Sequence, residues 1–125
     1  AFVGDDVLLV CGTEADSAAM VRRLDLGCVS DCALDPVGEL GAQPLTECRA
    51  FTQDDRVYVV GESLAGETLA YRIDVLAEAA VTPLPLREPR VGAGVTPAPN
   101  GTLAIFGGTH VSDGSPALTV EMLFP

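Results

Sequence analysis

The side chains in this sequence that could perform chemistry are few, and their types and spacing limit what each can do. Two pairs of adjacent carboxylates, Asp5-Asp6 and Asp54-Asp55, recur at similar places in the chain. Paired carboxylates can hold Ca²⁺ or serve as acid and base. Acidic residues also favour turns, where the side chain bonds the local backbone, and that is the role expected here. The one histidine, His110, follows the Gly107-Gly108 pair on a polar stretch. It is a candidate ligand or proton carrier, against the ordinary outcome that a solitary loop histidine is simply solvated. Arg49 and Arg90 are read as opening corresponding strands, from which a guanidinium could bind an acidic or sugar ligand. Their competing role is a salt bridge to Asp25 or Asp74. Gly92-Ala93-Gly94 is a lone Gly-x-Gly with Pro97 where a helix would have to begin, which argues against a dinucleotide site. Asn100-Gly101-Thr102 fits an N-glycosylation pattern and, equally, a tight hairpin; the hairpin is expected. No cofactor is expected.

Four cysteines, Cys11, Cys28, Cys32 and Cys48, lie in the first 48 residues. An even, clustered count points to disulfides and an oxidising compartment, extracellular or periplasmic. Three pairings are open. Inert buried thiols and a metal site are the rivals, but no second close cysteine pair exists and His110 is far along the chain. The chain opens at Ala1 without a basic, apolar leader, so the expectation is that any export signal has been removed or lies outside this sequence.

The positioning elements must come from a chain of 125 residues, enough for one domain's core. It has only six aromatic residues and no Trp, so Val, Leu, Ala and Ile must fill the interior, a palette suited to sheets. Eighteen acidic residues stand against seven arginines, with no Lys, for a formal charge of −11. A phosphate-backbone partner needs cationic neutralisation, so nucleic acid and anionic membrane are poor partners. No apolar run approaches the roughly 18 residues of a membrane helix. The abundance of Ala, Gly and Arg without Lys has a bacterial appearance.

Internal repetition is the strongest signal. The runs Val7-Leu8-Leu9-Val10-Cys11-Gly12, Val57-Tyr58-Val59-Val60-Gly61-Glu62 and Leu103-Ala104-Ile105-Phe106-Gly107-Gly108 align, each preceded by turn residues. Four unbroken apolar residues suit a strand covered on both faces. A second strand follows each run, at Val21 to Leu26, Leu69 to Val75 and Leu118 to Phe124. In these, Leu24, Ile73 and Leu123 share a column. The stretch Ala79 to Leu86 alternates apolar residues with Pro83 and Pro85 and so belongs at an outer edge; Val75 to Ala80 is an alternative site for a helical turn. The repeat units run approximately over 1–48, 49–88 and 89–125, with about three, four and three strands.

The Pro-Arg-Val-Gly-Ala-Gly, Leu-Ala-Ile-Phe-Gly-Gly and Val-Glu-Met-Leu-Phe-Pro segments of residues 89–125 together resemble a kelch repeat. Residues 49–88 match with Glu62 in place of the second Gly, and residues 1–48 match weakly, with Cys11 in place of the first. The resemblance implies an all-β fold of about three blades or partial blades of a β-propeller, with a small β-sandwich or barrel as the alternative. A closed propeller has four to eight blades. The implied partners are therefore further blades of the same polypeptide, or another copy, completing the ring. The expected function is a non-enzymatic interaction module with a protein or carbohydrate ligand, because nothing here assembles a nucleophile, base and orienting group. The alternative is part of a carbohydrate-active propeller enzyme. Copper-dependent oxidation in that family needs Tyr and His ligands, and two tyrosines and one histidine cannot supply the site alone.

Overall fold

The computed structural model describes residues 1–11, 20–41, 45–74 and 80–124 of the chain. These residues are all-β. Phe2–Val3, Asp6–Leu9, Met20–Asp25 and Asp35–Glu39 (β1 to β4) form a first antiparallel sheet in chain order. Thr46–Gln53, Arg56–Glu62, Thr68–Asp74 and Ala80–Pro83 (β5 to β8) form a second. Arg90–Val91 (β9) pairs with Thr109–His110 (β12). Gly94–Ala98 (β10), Thr102–Phe106 (β11) and Val120–Leu123 (β13) make a third sheet in the order β10-β11-β13. Among the described residues none of these sheets closes on itself.

The turn residues do what their chemistry dictates. Gly4-Asp5 and Asp54-Asp55 are two-residue reversals between β1 and β2 and between β5 and β6, with Gly4 and Asp54 left-handed at φ 57° and 54°. Pro99–Gly101 reverses the chain between β10 and β11, with Asn100 and Gly101 at φ 65° and 73°. Such values suit Gly, Asn and Asp far better than branched side chains.

The three apolar runs occupy one equivalent place. Each is the second strand of its sheet, and the register pairs Val7 with Leu24, Val57 with Ile73 and Leu103 with Leu123. In the middle sheet the run is buried on both faces, because side chains of a strand alternate in direction. Val57, Val59 and Ile73 pack with Leu8 and Val21 of the first sheet and with Leu40, just past β4. Tyr58, Val60 and Ala70 pack with Leu103, Ile105 and Leu123 of the third. Each such large apolar side chain contributes on the order of 1.5–3 kcal/mol on full burial. The third sheet turns Leu103 and Ile105 inward. Its other face leaves Phe106, Val120 and Met122 at 43%, 61% and 39% exposure.

Several local expectations are corrected. The first unit has four strands, not three: β4, Asp-Pro-Val-Gly-Glu, carries a single large apolar residue and joins β3 through a register shift between Val21 and Arg22. The arginine-led strand from Arg90 to Thr96 is broken into β9 and β10, with Gly92 at φ 66° between them. β8 is the outer edge of its sheet, as its Pro83 requires. The helical turn weighed at Val75 to Ala80 lies outside the described residues, save Ala80, which opens β8.

The glycine pair ending β11 carries a testable asymmetry. Gly107 and Gly108 have φ of 67° and 75°. A Cβ on Gly107 would meet nothing within 4 Å, whereas one on Gly108 would run into the Val91 carbonyl oxygen and lie 3.1 Å from the Ala93 nitrogen. Gly107→Ala is therefore expected to cost only the left-handed penalty of about 1–2 kcal/mol. Gly108→Ala should cost roughly 3 kcal/mol or more, since backbone must shift as well. Equal losses in denaturant titrations of the two variants would contradict this packing.

Candidate functional site

The residues read as ligand contacts do not converge. Arg49 is not a strand opener; it lies within β5, opposite Val60, past a register shift between Thr46 and Arg49. It is exposed on a narrow cleft of about 70 Å³ that it shares with Glu47, Glu62, Thr68 and Val95. Arg90 sits on β9, directly opposite His110 of β12. Arg49 and Arg90 are thus not equivalent positions.

Arg90 also has a different occupation from the one expected. It is 0% exposed. Its Nε donates to the Glu88 carbonyl at 3.2 Å, and Nη1 donates to the carbonyls of Thr119 at 3.1 Å and Gly107 at 3.4 Å. Nη2 donates to Thr119 Oγ1 at 3.1 Å and pairs with the Glu88 carboxylate at 3.3 Å. The Thr119 hydroxyl in turn donates to that carboxylate. The guanidinium fork is therefore spent on stitching β9, the end of β11 and the approach to β13 together, and no donor is left for a ligand. Its ionic partner is Glu88, not Asp25 or Asp74. Asp25 instead accepts the Gly27 N–H at 2.7 Å, closing its own turn.

His110 belongs to the short strand β12 and is half-buried. Its N–H donates to the Ser115 carbonyl at 2.8 Å, and its carbonyl accepts from Gly114 at 2.9 Å. The side chain borders a shallow hollow of about 390 Å³ with Arg87, Glu88, Pro89, Val111 and Ser112. The structure thus brings His110 beside Arg87 and Glu88, neither of which the sequence singled out. Within this loop Asp113 accepts the backbone N–H of Ser115 at 2.9 Å and its hydroxyl at 2.7 Å. Those bonds, with a smaller attraction from His110, hold the Asp113 carboxyl below its ordinary range. A carboxyl with a lowered folded pKa adds stability above its unfolded pKa and loses it as pH falls through the folded one. The Asp113–Ser115 contact is accordingly expected to persist at neutral and mildly acidic pH and to release only below the usual aspartate range. Following the Ser115 amide shift against pH checks this; a midpoint above that range would refute it.

Sequence reading also passed over a polar line on the face that the second sheet turns to the third. Arg72 stands opposite Tyr58, and Arg56 opposite Gln53, on that face. Gln53 donates to the Ala98 and Thr102 carbonyls, at 3.5 and 3.3 Å, tying the two sheets. Tyr58 is 1% exposed, and its Oη has no hydrogen-bond partner among the described residues. The signal was present as a period-two spacing, Arg56 to Tyr58, hidden because Arg56 preceded the apolar run.

Cys11 is joined to Cys48, and Cys28 to Cys32. The first bridge ties the end of β2 to β5, and so the first sheet to the second; the other closes a short surface loop. Two such pairs fit an oxidising environment. Among the described residues no three His, Cys, Asp or Glu side chains gather as a metal site would require, and no helix is long and apolar enough to cross a membrane. Asp5 and the pair Asp54-Asp55 lie in turns, while Asp6 opens β2 opposite Asp25.

No protein-family model matches this sequence, and no curated protein matches it. In three dimensions the chain is similar to the solved structure of YjhT, with a TM-score of 0.59 and 17% sequence identity. The likeness covers 88% of this chain and 33% of YjhT, so the chain spans about a third of that protein. At this identity the likeness concerns the fold alone.

Proposed function

We propose that the chain is a segment of a kelch-like β-propeller of a secreted bacterial protein, and that it works as a non-enzymatic binding module. On this reading the outer faces of its sheets are covered by further blades of the same polypeptide or by another copy. The observation that carries the reading is the contrast between the second sheet and the third. The second is covered on both faces by its neighbours, whereas the third presents Phe106, Val120 and Met122 to solvent on its far face, at the positions equivalent to those by which the second packs against the third. An exposed apolar face of this kind marks an interaction surface. The fold-level likeness to a protein three times as long supports the same reading. Arg49 and His110 lie apart, so the carbohydrate-active alternative would need its reacting groups from other blades.

Sedimentation of the isolated chain over a range of concentrations tests this. The chain is expected to self-associate through the third sheet with a melting temperature that rises with concentration, and Phe106→Lys is expected to leave it folded but monomeric, with a melting temperature that no longer depends on concentration. A wild-type chain that stays monomeric throughout would remove the support for a segment awaiting its neighbours and favour a self-contained sandwich.

A further inference from the structure

Among the described residues, four buried side-chain atoms have no hydrogen-bond partner: Gln53 Oε1, Arg56 Nε, Tyr58 Oη and Arg72 Nε. All four belong to the face that the second sheet turns to the third. In the register Gln53 is opposite Arg56, and Tyr58 is opposite Arg72. Arg56 and Tyr58, two apart on β6, point the same way. Side chains directly opposite in an antiparallel pair start about 5 Å apart at Cβ, so the four form one continuous patch. The third sheet closes over it. Leu103 and Ile105 pack with Tyr58, which is 1% exposed, and Gln53 Nε2 donates to the Ala98 and Thr102 carbonyls.

Buried polar groups in folded proteins nearly all have a partner, in the protein or in bound solvent. The donors and acceptors of the patch therefore limit what can fill it. Arg56 and Arg72 can only donate, and Tyr58 can donate through its hydroxyl. The Gln53 amide is held by the two bonds from its nitrogen, which leaves Oε1 as an acceptor. A water between Gln53 Oε1 and the Arg56 Nε–H satisfies both. The Arg72 Nε–H and the Tyr58 hydroxyl stand opposite each other on the ladder, two donors in need of an acceptor.

Charge selects that acceptor. Among the described residues the one ion pair is Arg90 with Glu88, so no carboxylate touches either guanidinium of the patch. Asp74 stands opposite Arg56 on the same face, and two cations with one carboxylate leave a single positive charge. Asp54 and Asp55, at the turn before Arg56, are exposed and screened by solvent. Water would leave the remaining charge unmatched, whereas charges taken out of water are as a rule paired. Arg56 and Arg72 are half-buried, so the patch meets solvent at its rim and a small ion can enter.

We propose that Arg72 and Tyr58, with Arg56 beside them, hold a small monovalent anion of chloride size between the second and third sheets. The anion accepts the Arg72 Nε–H and the Tyr58 O–H and matches the charge that Asp74 leaves over. It binds only where the two sheets are together, so it stabilises their packing in proportion to its occupancy. The proposal does not rest on the kelch-like reading.

The test compares sodium chloride with sodium gluconate, whose anion is too bulky for the seam, at equal ionic strength. The Kd is measured from chloride NMR line broadening. At a chloride concentration ten times that Kd, the unfolding equilibrium constant in urea titrations should be about tenfold smaller than in gluconate. Tyr58→Phe and Arg72→Gln each remove one donor and should weaken chloride binding at least about tenfold, the value of a hydrogen bond to a charged group. Equal stability in the two salts, the result expected of water alone, would overturn the proposal. So would line broadening that both variants keep in full, which would place the ion elsewhere on the chain, or a Tyr58→Phe chain more stable than the parent in chloride, which would mean that the hydroxyl has no partner to lose.

Discussion

Replacing Arg90 with methionine is expected to destabilise the fold by about 3 kcal/mol, at the lower end of what breaking a buried ion pair costs. For a chain of this size that is a fall of roughly 10 °C in melting temperature. Methionine fills much of the same space, so the loss comes from bonding. Three backbone carbonyls, of Glu88, Gly107 and Thr119, lose the donor that reaches them in the interior, and an acceptor left dry costs about 1–3 kcal/mol. The ionic part is discounted because the Glu88 side chain is 42% exposed and can be hydrated. Arg90→Lys keeps the charge but not the planar fork and should recover less than half of the loss. A melting temperature unchanged in the methionine variant would mean that β9, β11 and β13 are held together by something other than this guanidinium.

Removal of the Cys11–Cys48 bridge should have an effect of similar size through a different cause. The bridge closes a loop with a sequence separation of 37. In the chain-entropy account, losing such a closure costs about 4 kcal/mol, against about 2 kcal/mol for the Cys28–Cys32 loop. The identity of the replacement matters as well. Cys11 has φ 61°, the left-handed region that Gly107 occupies at the same place in the third repeat. An alanine there keeps the backbone penalty without the bond, so Cys11→Gly with Cys48→Ala should be more stable than the double alanine variant by about 1 kcal/mol. Urea titrations of both variants and of Cys28→Ala/Cys32→Ala, without reductant, measure all three. Should the short loop prove as costly as the long one, the tie between the first two sheets would not be what stabilises the first.

The apolar runs were legible in the sequence because a strand packed on both faces must be apolar without interruption, and the column Leu24, Ile73, Leu123 set their register correctly. β8 was legible because proline can only lie on an outer edge. β4 was not: an edge strand covered on one side needs little hydrophobicity, and Val37 alone carries the signal. The partner of Arg90 was hidden for the opposite reason. Glu88 is two residues away and lies in no apolar run or motif, while Thr119 approaches only once the third sheet has folded. The cysteine pairing was undetermined because it depends on how two sheets lie against each other. Arg56 and Arg72 escaped notice because charge beside an apolar run looks like solvated surface until the opposing sheet is placed.

The sulfur bridge between Cys11 and Cys48 also fixes the route by which tension would travel if the chain were stretched from its two ends. Force entering at Ala1 passes through β2, crosses the bridge and continues into β5, so β3 and β4, which lie inside the loop, are never pulled. At about 3.5 Å per residue, roughly 130 Å of chain stays slack however hard the ends are drawn apart. A reducing medium would release that length, giving a molecule that is longer when torn open as well as weaker.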